Sequence, residues 1–167
     1  MVDDLNTILP RASLRDRIGR SAERVMLDQK VIREGNLISS ASIRRAVSGD
    51  TNEARTSIVD AGRAVRAEVV VHVSVIGWTL TSTPGEVSPE AVISVKILDT
   101  LGNQRLWPEG EGAYATRVEL PVRADRQVGS NAERRQVEDA LADRIGQTIA
   151  KLFYTSERER ISEQREL

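Results

Sequence analysis

The chain has 167 residues, 24 basic and 25 acidic side chains, a net charge of −1 and a single histidine. That length fits one domain with a real hydrophobic core, and its mixed charges argue against a phosphate-tracking surface. The lack of cysteine excludes disulfides, thiolate catalysis, Cys-based zinc sites and a lipidated cysteine within these residues, and no stretch reaches the roughly 18 apolar residues of a membrane span.

The opening MVDDLNTILP is a poor strand, and it has no basic start followed by an apolar core, so it does not read as a leader. Residues 1–12 are expected as an extended segment ahead of a single α+β domain over residues 13–154. In SLRDRIGRSAERVMLDQKVI, residues 13–32, Leu14, Ile18, Ala22, Val25 and Gln29 follow helical spacing, with arginines around the other side. Ser13 with Asp16 is expected to cap that helix and Gly35 to end it. NLISS, residues 36–40, is a candidate short strand whose serines also suit a cap for the next helix. That helix, ASIRRAVS, places Ile43 and Val47 one turn apart, and Gly49 ends it. Asp50 with Glu53 is expected to open a third helix, with Ala54, Ile58, Ala61 and Val65 on one face.

This helix runs into RAEVVVHVSVIGW, where β-branched side chains favour a strand. Alternation assigns Val69, Val71, Val73 and Val75 to a core face, and Val70, His72, Ser74 and Ile76 to a wetter one. STPGEVSPE reads as a loop around a Pro84-Gly85 turn. AVISVKILD follows as a second strand, with Ile93, Val95 and Ile97 alternating against Ser94 and Lys96. Gly102-Asn103 turns the chain into QRLW, and WPEGEG separates that strand from a last one, AYATRVELPV. Ser130 and Glu133 make a capping box ahead of a stripe of Val137, Leu141, Ile145, Ile149 and Leu152. After Tyr154 the sequence TSERERISEQREL has little to bury, so residues 155–167 are expected as a charged tail, flexible or helical. Strands gathered between helices predict an α+β fold, an antiparallel sheet of about four strands packed against about four helices.

Candidate chemistry is sparse. His72 sits on a strand that offers no further metal ligand, and it reads as structural. The pairs Asp3-Asp4, Glu109-Glu111 and Glu138-Asp139 read as solvated surface, since adjacent helical residues do not share a face. PEGEG matches no calcium loop, the glycines form no phosphate cradle, and no serine sits in an elbow motif with a histidine partner. The expectation is therefore no catalytic residue, no metal and no cofactor. Trp78 and Trp107, both at strand ends, are the candidate partner-binding residues, weighed against core-edge packing.

Three stretches carry a resemblance to a known family. AGRAVRAEVVVHVSV, with Gly62, Ala67, Glu68, Val69 and Val70, is similar to a glycine-containing helix running into an Ala-acid-Val-Val strand. VKILDTLGNQRLW, with Asp99, Gly102 and Trp107, is similar to a valine-rich strand, an Asp-x-x-Gly turn and a following tryptophan. LADRIGQTIAKLF is similar to a closing amphipathic helix. In this order they resemble bacterial envelope lipoprotein domains. Those include the curli secretion-channel lipoprotein, the lipoprotein activators of penicillin-binding proteins and the N-terminal domain of the Tol translocation protein. Two features of that family do not show in the sequence: an apolar strand before the first helix and the lipid-carrying cysteine. A missing strand would leave the sheet with an open edge.

The resemblance implies a non-catalytic interaction or assembly domain of the cell envelope, acting through protein–protein contacts, self-association included. It also implies a place in the periplasm, or on the periplasmic face of the outer membrane, if a leader has been removed, and otherwise in the cytoplasm. The alternative is a nucleic-acid-binding module, since these domains are similar in architecture to anticodon-binding domains. Near-neutral charge and few stacking aromatics oppose it. An enzyme working through carboxylates is the third reading.

Overall fold

A computed structural model describes residues 2–3, 8–48, 57–83, 86–110, 112–121 and 130–154. Its centre is a hairpin of two long strands, β2 (Val69–Thr83) and β3 (Glu86–Asp99). They pair antiparallel from Val69 opposite Asp99 to Thr83 opposite Glu86. The stretch read as a loop over residues 82–90 is thus mostly strand. Backbone pairing from Gly77 to Thr83 overrides the local Ser and Pro signals. Residues 84 and 85 lie outside the described residues.

Two further strands line the other side of β3. Strand β4 (Gln104–Trp107) pairs with its residues 97–99 and β5 (Tyr114–Glu119) with its residues 90–95, both antiparallel. They run the same way along one edge and act as a single border strand interrupted at residues 108–113. At the opposite edge a two-residue strand, β1 (Val2–Asp3), runs parallel to β2 beside Val73 and Ser74. The unpromising opening residues therefore do contribute to the sheet.

Between Val75 and Gly77, β2 holds one more residue than the facing stretch of β3. This bulge reverses the parity of the strand. Val73 lies opposite Val95, Val75 opposite Ile93 and Trp78 opposite Ala91, all on one side of the sheet. Unbroken alternation would have sent Trp78 to the other face.

That side is covered by α1 (Ala12–Asp28) and α4 (Asn131–Lys151). Leu14 and Ile18 of α1 and Leu141, Ile145 and Ile149 of α4 are buried against Val73, Val75, Ile93, Val95 and Val118. The capping box of Ser130 and Glu133 starts α4 as expected. Leu152 does not complete the stripe and is 36 % exposed. Burial spreads instead through Ala142, Gly146 and Ala150, because α4 faces α1 as well as the sheet. At Gly146 the helices nearly touch: a Cβ there would lie 2.5 Å from Ser21 Cβ and 2.7 Å from both Ala22 N and Ile18 O.

The helix ends differ from the sequence reading in informative ways. Ser13 and Asp16 do not cap α1, whose N-cap is Arg11; Asp16 instead pairs with Arg44 of α2 (Ser40–Ser48). Lys30, not Gly35, ends the helix. It adopts φ 56°, with Val31 N donating to Met26 O at 2.9 Å and Lys30 N to Leu27 O at 3.0 Å. Gly35 falls in a short 3-10 turn, Glu34–Asn36. NLISS forms no strand. Its serines cap α2: Ser42 N donates to Ser39 Oγ at 3.2 Å, and Glu23 of α1 accepts from Ser40 N at 2.7 Å. The short α3 (Ile58–Ala64) is capped by Ser57, while Asp50 and Glu53 lie outside the described residues. It ends as α1 does, with Arg66 at φ 58° and Ala67 N donating to Gly62 O at 2.9 Å.

Two stability tests follow from this geometry. Gly146→Val drives a side chain into the backbone of α1 and is expected to cost about 2–3 kcal/mol in urea denaturation. Arg66→Gly relieves a left-handed conformation that costs an L-residue about 1–2 kcal/mol, less the glycine entropy penalty. It is expected to raise stability by about 0.5–1 kcal/mol in the same assay.

Candidate interaction surface

His72 is 5 % exposed, not on a wet face as the alternation suggested. Its side of β2 is occupied because α3 packs there, opposite α1 and α4. Gly62 of α3 allows this approach: a Cβ at that position would stand 2.6 Å from Val70 Cγ2 and from Thr100 Cγ2. The buried Thr100 hydroxyl donates to the Ala67 carbonyl, and Arg63 Nε donates to Thr100 O at 2.7 Å, tying α3 to the end of β3. Val70, assigned to the wetter face, is accordingly buried, and Val69, assigned to the core, is 50 % exposed. In register His72 lies opposite Lys96. Among the described residues no group of three or more His, Cys, Asp or Glu is placed to hold a metal.

The acidic pair Glu138-Asp139 is the clearest departure from the sequence reading. Glu138 is 3 % exposed and accepts from Arg11 Nε at 2.8 Å and from Arg134 Nε at 3.3 Å. Asp139 accepts from Arg11 Nη2 at 2.6 Å and Arg17 Nη1 at 3.1 Å, while Arg17 also grips both oxygens of Asp143, at 2.9 and 2.6 Å. Hydrogen bonds from Arg11 to Asp139, and from Arg17 to Asp143, raise both guanidinium pKa values above the ordinary arginine value. Burial, then repulsion from Arg15, lowers that of Arg44. Adjacent residues do not share a helix face, but a guanidinium fork between helices can reach both. The legible signal was spacing: Glu138 stands three, four and seven residues before Leu141, Ala142 and Ile145, inside the apolar stripe.

Surface features capable of contact lie elsewhere. A groove of about 580 Å³ opens between α1, the 3-10 turn, α2 and the start of β2, with Ala22, Met26, Ile32, Ile43 and Ile149 in its walls. Along the β4–β5 border, residues 108–110 and 112–113 leave the sheet in a loop pinned at its base. The Trp107 and Tyr114 rings lie 5.0 Å apart, and Arg105 donates to Gly112 O. Gly110 and Gly112 take φ values of 84° and 117°, conformations that L side chains adopt rarely. Glu111 lies outside the described residues.

Both candidate tryptophans are half-buried and pack against the core; Trp107 ends β4, whereas Trp78, expected at a strand end, lies inside β2, which runs on to Thr83. Trp78 stands opposite Ala91, and its indole N–H is buried without an acceptor among the described residues. Trp107 stands opposite Ile97, at the root of the border loop. No helix among the described residues is long and apolar enough to cross a membrane. The expected tail, residues 155–167, lies outside the described residues.

No family model matches the chain, and no curated protein does. Among solved structures the chain is similar to a lipoprotein of Neisseria meningitidis, with a TM-score of 0.48 at 11 % identity, covering 85 % of this chain and 90 % of that one. It is also similar to a hypothetical protein of Chlamydia trachomatis, with a TM-score of 0.42 at 16 % identity, covering 97 % and 90 %.

The ionic seam yields its own test. Glu138→Ala leaves Arg11 part-exposed and still held by Asp139, so the expected loss is about 1–2 kcal/mol by denaturant titration, short of the cost of orphaning a fully buried charge. A loss below about 0.5 kcal/mol would show that the seam is ordinary surface pairing.

Proposed function

We propose that the chain is a non-catalytic interaction and assembly domain of a bacterial cell-envelope protein, acting in the periplasm or on the periplasmic face of the outer membrane. What supports this reading most directly is how the fold disposes of its polar groups. Those it gathers in number, Arg11, Arg17, Glu138, Asp139 and Asp143, bind one another between α1 and α4. What remains outward is suited to contact: a strand border, a pinned loop and an apolar groove. The sequence resemblance supplies the envelope context, and β1 stands where those domains carry a strand ahead of the first helix. Trp107, at the root of the border loop, is the tryptophan that a partner on this edge would meet first; Trp78 lies inside β2, opposite Ala91.

Fractionation of cells expressing the complete gene tests the location, with recovery in the envelope fraction expected and an even cytoplasmic distribution counting against it. A fluorescence titration against single-stranded RNA at two salt concentrations decides the alternative. Salt-dependent binding there would replace the proposed reading with a nucleic-acid module.

A further inference from the structure

We infer that the outer edge of β5 pairs with the same edge of a second copy of this chain, antiparallel about Val118, so that two sheets become one. The inference deepens the proposed contact function but needs no envelope location. Purified protein tests it, so either idea can fail without the other.

Leu120 N donates to Pro89 O at 3.0 Å, and β5 runs in unbroken register with β3 from Glu119 opposite Glu90 to Tyr114 opposite Val95. Backbone groups alternate along a strand, so residues 114, 116, 118 and 120 point their N–H and C=O toward β3. Those of 115, 117, 119 and 121 point away from it. Among the described residues those outward groups meet one contact, the Thr116 hydroxyl at 3.5 Å from the Arg117 carbonyl, too long to satisfy it. An unpaired strand border of this kind is a template for another strand.

Side chains then select the partner. Charged residues on an edge strand ordinarily keep copies apart. Here the two charges have opposite sign and stand two residues apart, Arg117 and Glu119, both exposed on the same face of the sheet. A copy turned end for end about Val118 places Arg117 opposite its partner's Glu119, and the reverse, at directly paired positions. Those positions are also the ones whose backbone groups point outward, so hydrogen bonding and charge choose the same register. Centring on Arg117 would set arginine against arginine, and centring on Thr116 would set Arg117 against Ala115. Arg117 is 62 % exposed in its side chain and lies 3.6 Å from Glu90, so it can serve its own strand and a second copy together.

Light scattering of the whole protein over a wide concentration range should show a dimer that dissociates on dilution. Arg117→Glu or Glu119→Arg puts like charges opposite at two symmetric positions and should weaken the dimer at least about tenfold, whereas the combined swap restores it. Circular dichroism confirms that each variant is folded. An independent measurement uses the lack of native cysteine. Val118→Cys places two thiols on the twofold axis at a close, non-hydrogen-bonded pair and should crosslink on oxidation, while Ala115→Cys, which faces residue 121 of the other copy, should not. A monomer at every concentration, a dimer indifferent to charge reversal, or equal crosslinking at both positions would overturn the inference.

Discussion

The close crossing of α1 and α4 is the contact on which the rest of the structure hangs. These helices come from opposite ends of the described chain, and each lays one apolar row on the sheet. They can share that face only because Gly146 has no side chain and Ser21, Ala22 and Ala142 are small. At this distance the Ser21 hydroxyl reaches the Asp143 carbonyl, at 2.9 Å. Along the open side of the crossing, Arg11 and Arg17 close onto three carboxylates. Close packing and charge pairing therefore act at one seam: dispersion and apolar burial supply most of the stabilisation, and the guanidinium forks fix the rotation of one helix against the other.

From this seam the sheet acquires two different faces. Its core side is continuous from Val73 to Leu80 because the bulge after Val75 corrects the parity of a strand too long to keep one phase. The reverse side is covered at one end by α3, through Gly62 against Val70 and Thr100, and carries polar and charged residues elsewhere. Both main helices and α3 are thereby committed, each to its own patch of sheet. Val118 of β5 lies under this cover, while the outward edge of β5 meets no strand among the described residues.

A domain built in this way is suited to holding surfaces still. The hairpin is long and paired on both sides of a single bulge, the border loop is clamped by an aromatic contact and an arginine, and the apolar groove is framed by α1 and α2, joined where Glu23 of α1 accepts from Ser40 N of α2. Rigid elements offering an edge, a loop and a groove are what the proposed contact function would use, since preorganisation of that kind lowers the cost of association.

Much of this was legible in the residues. Periodicity located four helices and the four antiparallel strands, Ser130 with Glu133 marked the start of α4, and the β-branched runs marked the hairpin strands. Those features depend on neighbours within a few positions, which sequence displays directly. Sequence could not give the phase of β2 beyond Val75, the burial of His72, the partners of Glu138, or the union of β4 and β5 into one border. Each is decided by a group more than one turn or one strand away: the facing register of β3, the approach of α3, the guanidinium of Arg11. Local chemistry sets which elements form, and only their packing sets which side of each meets water.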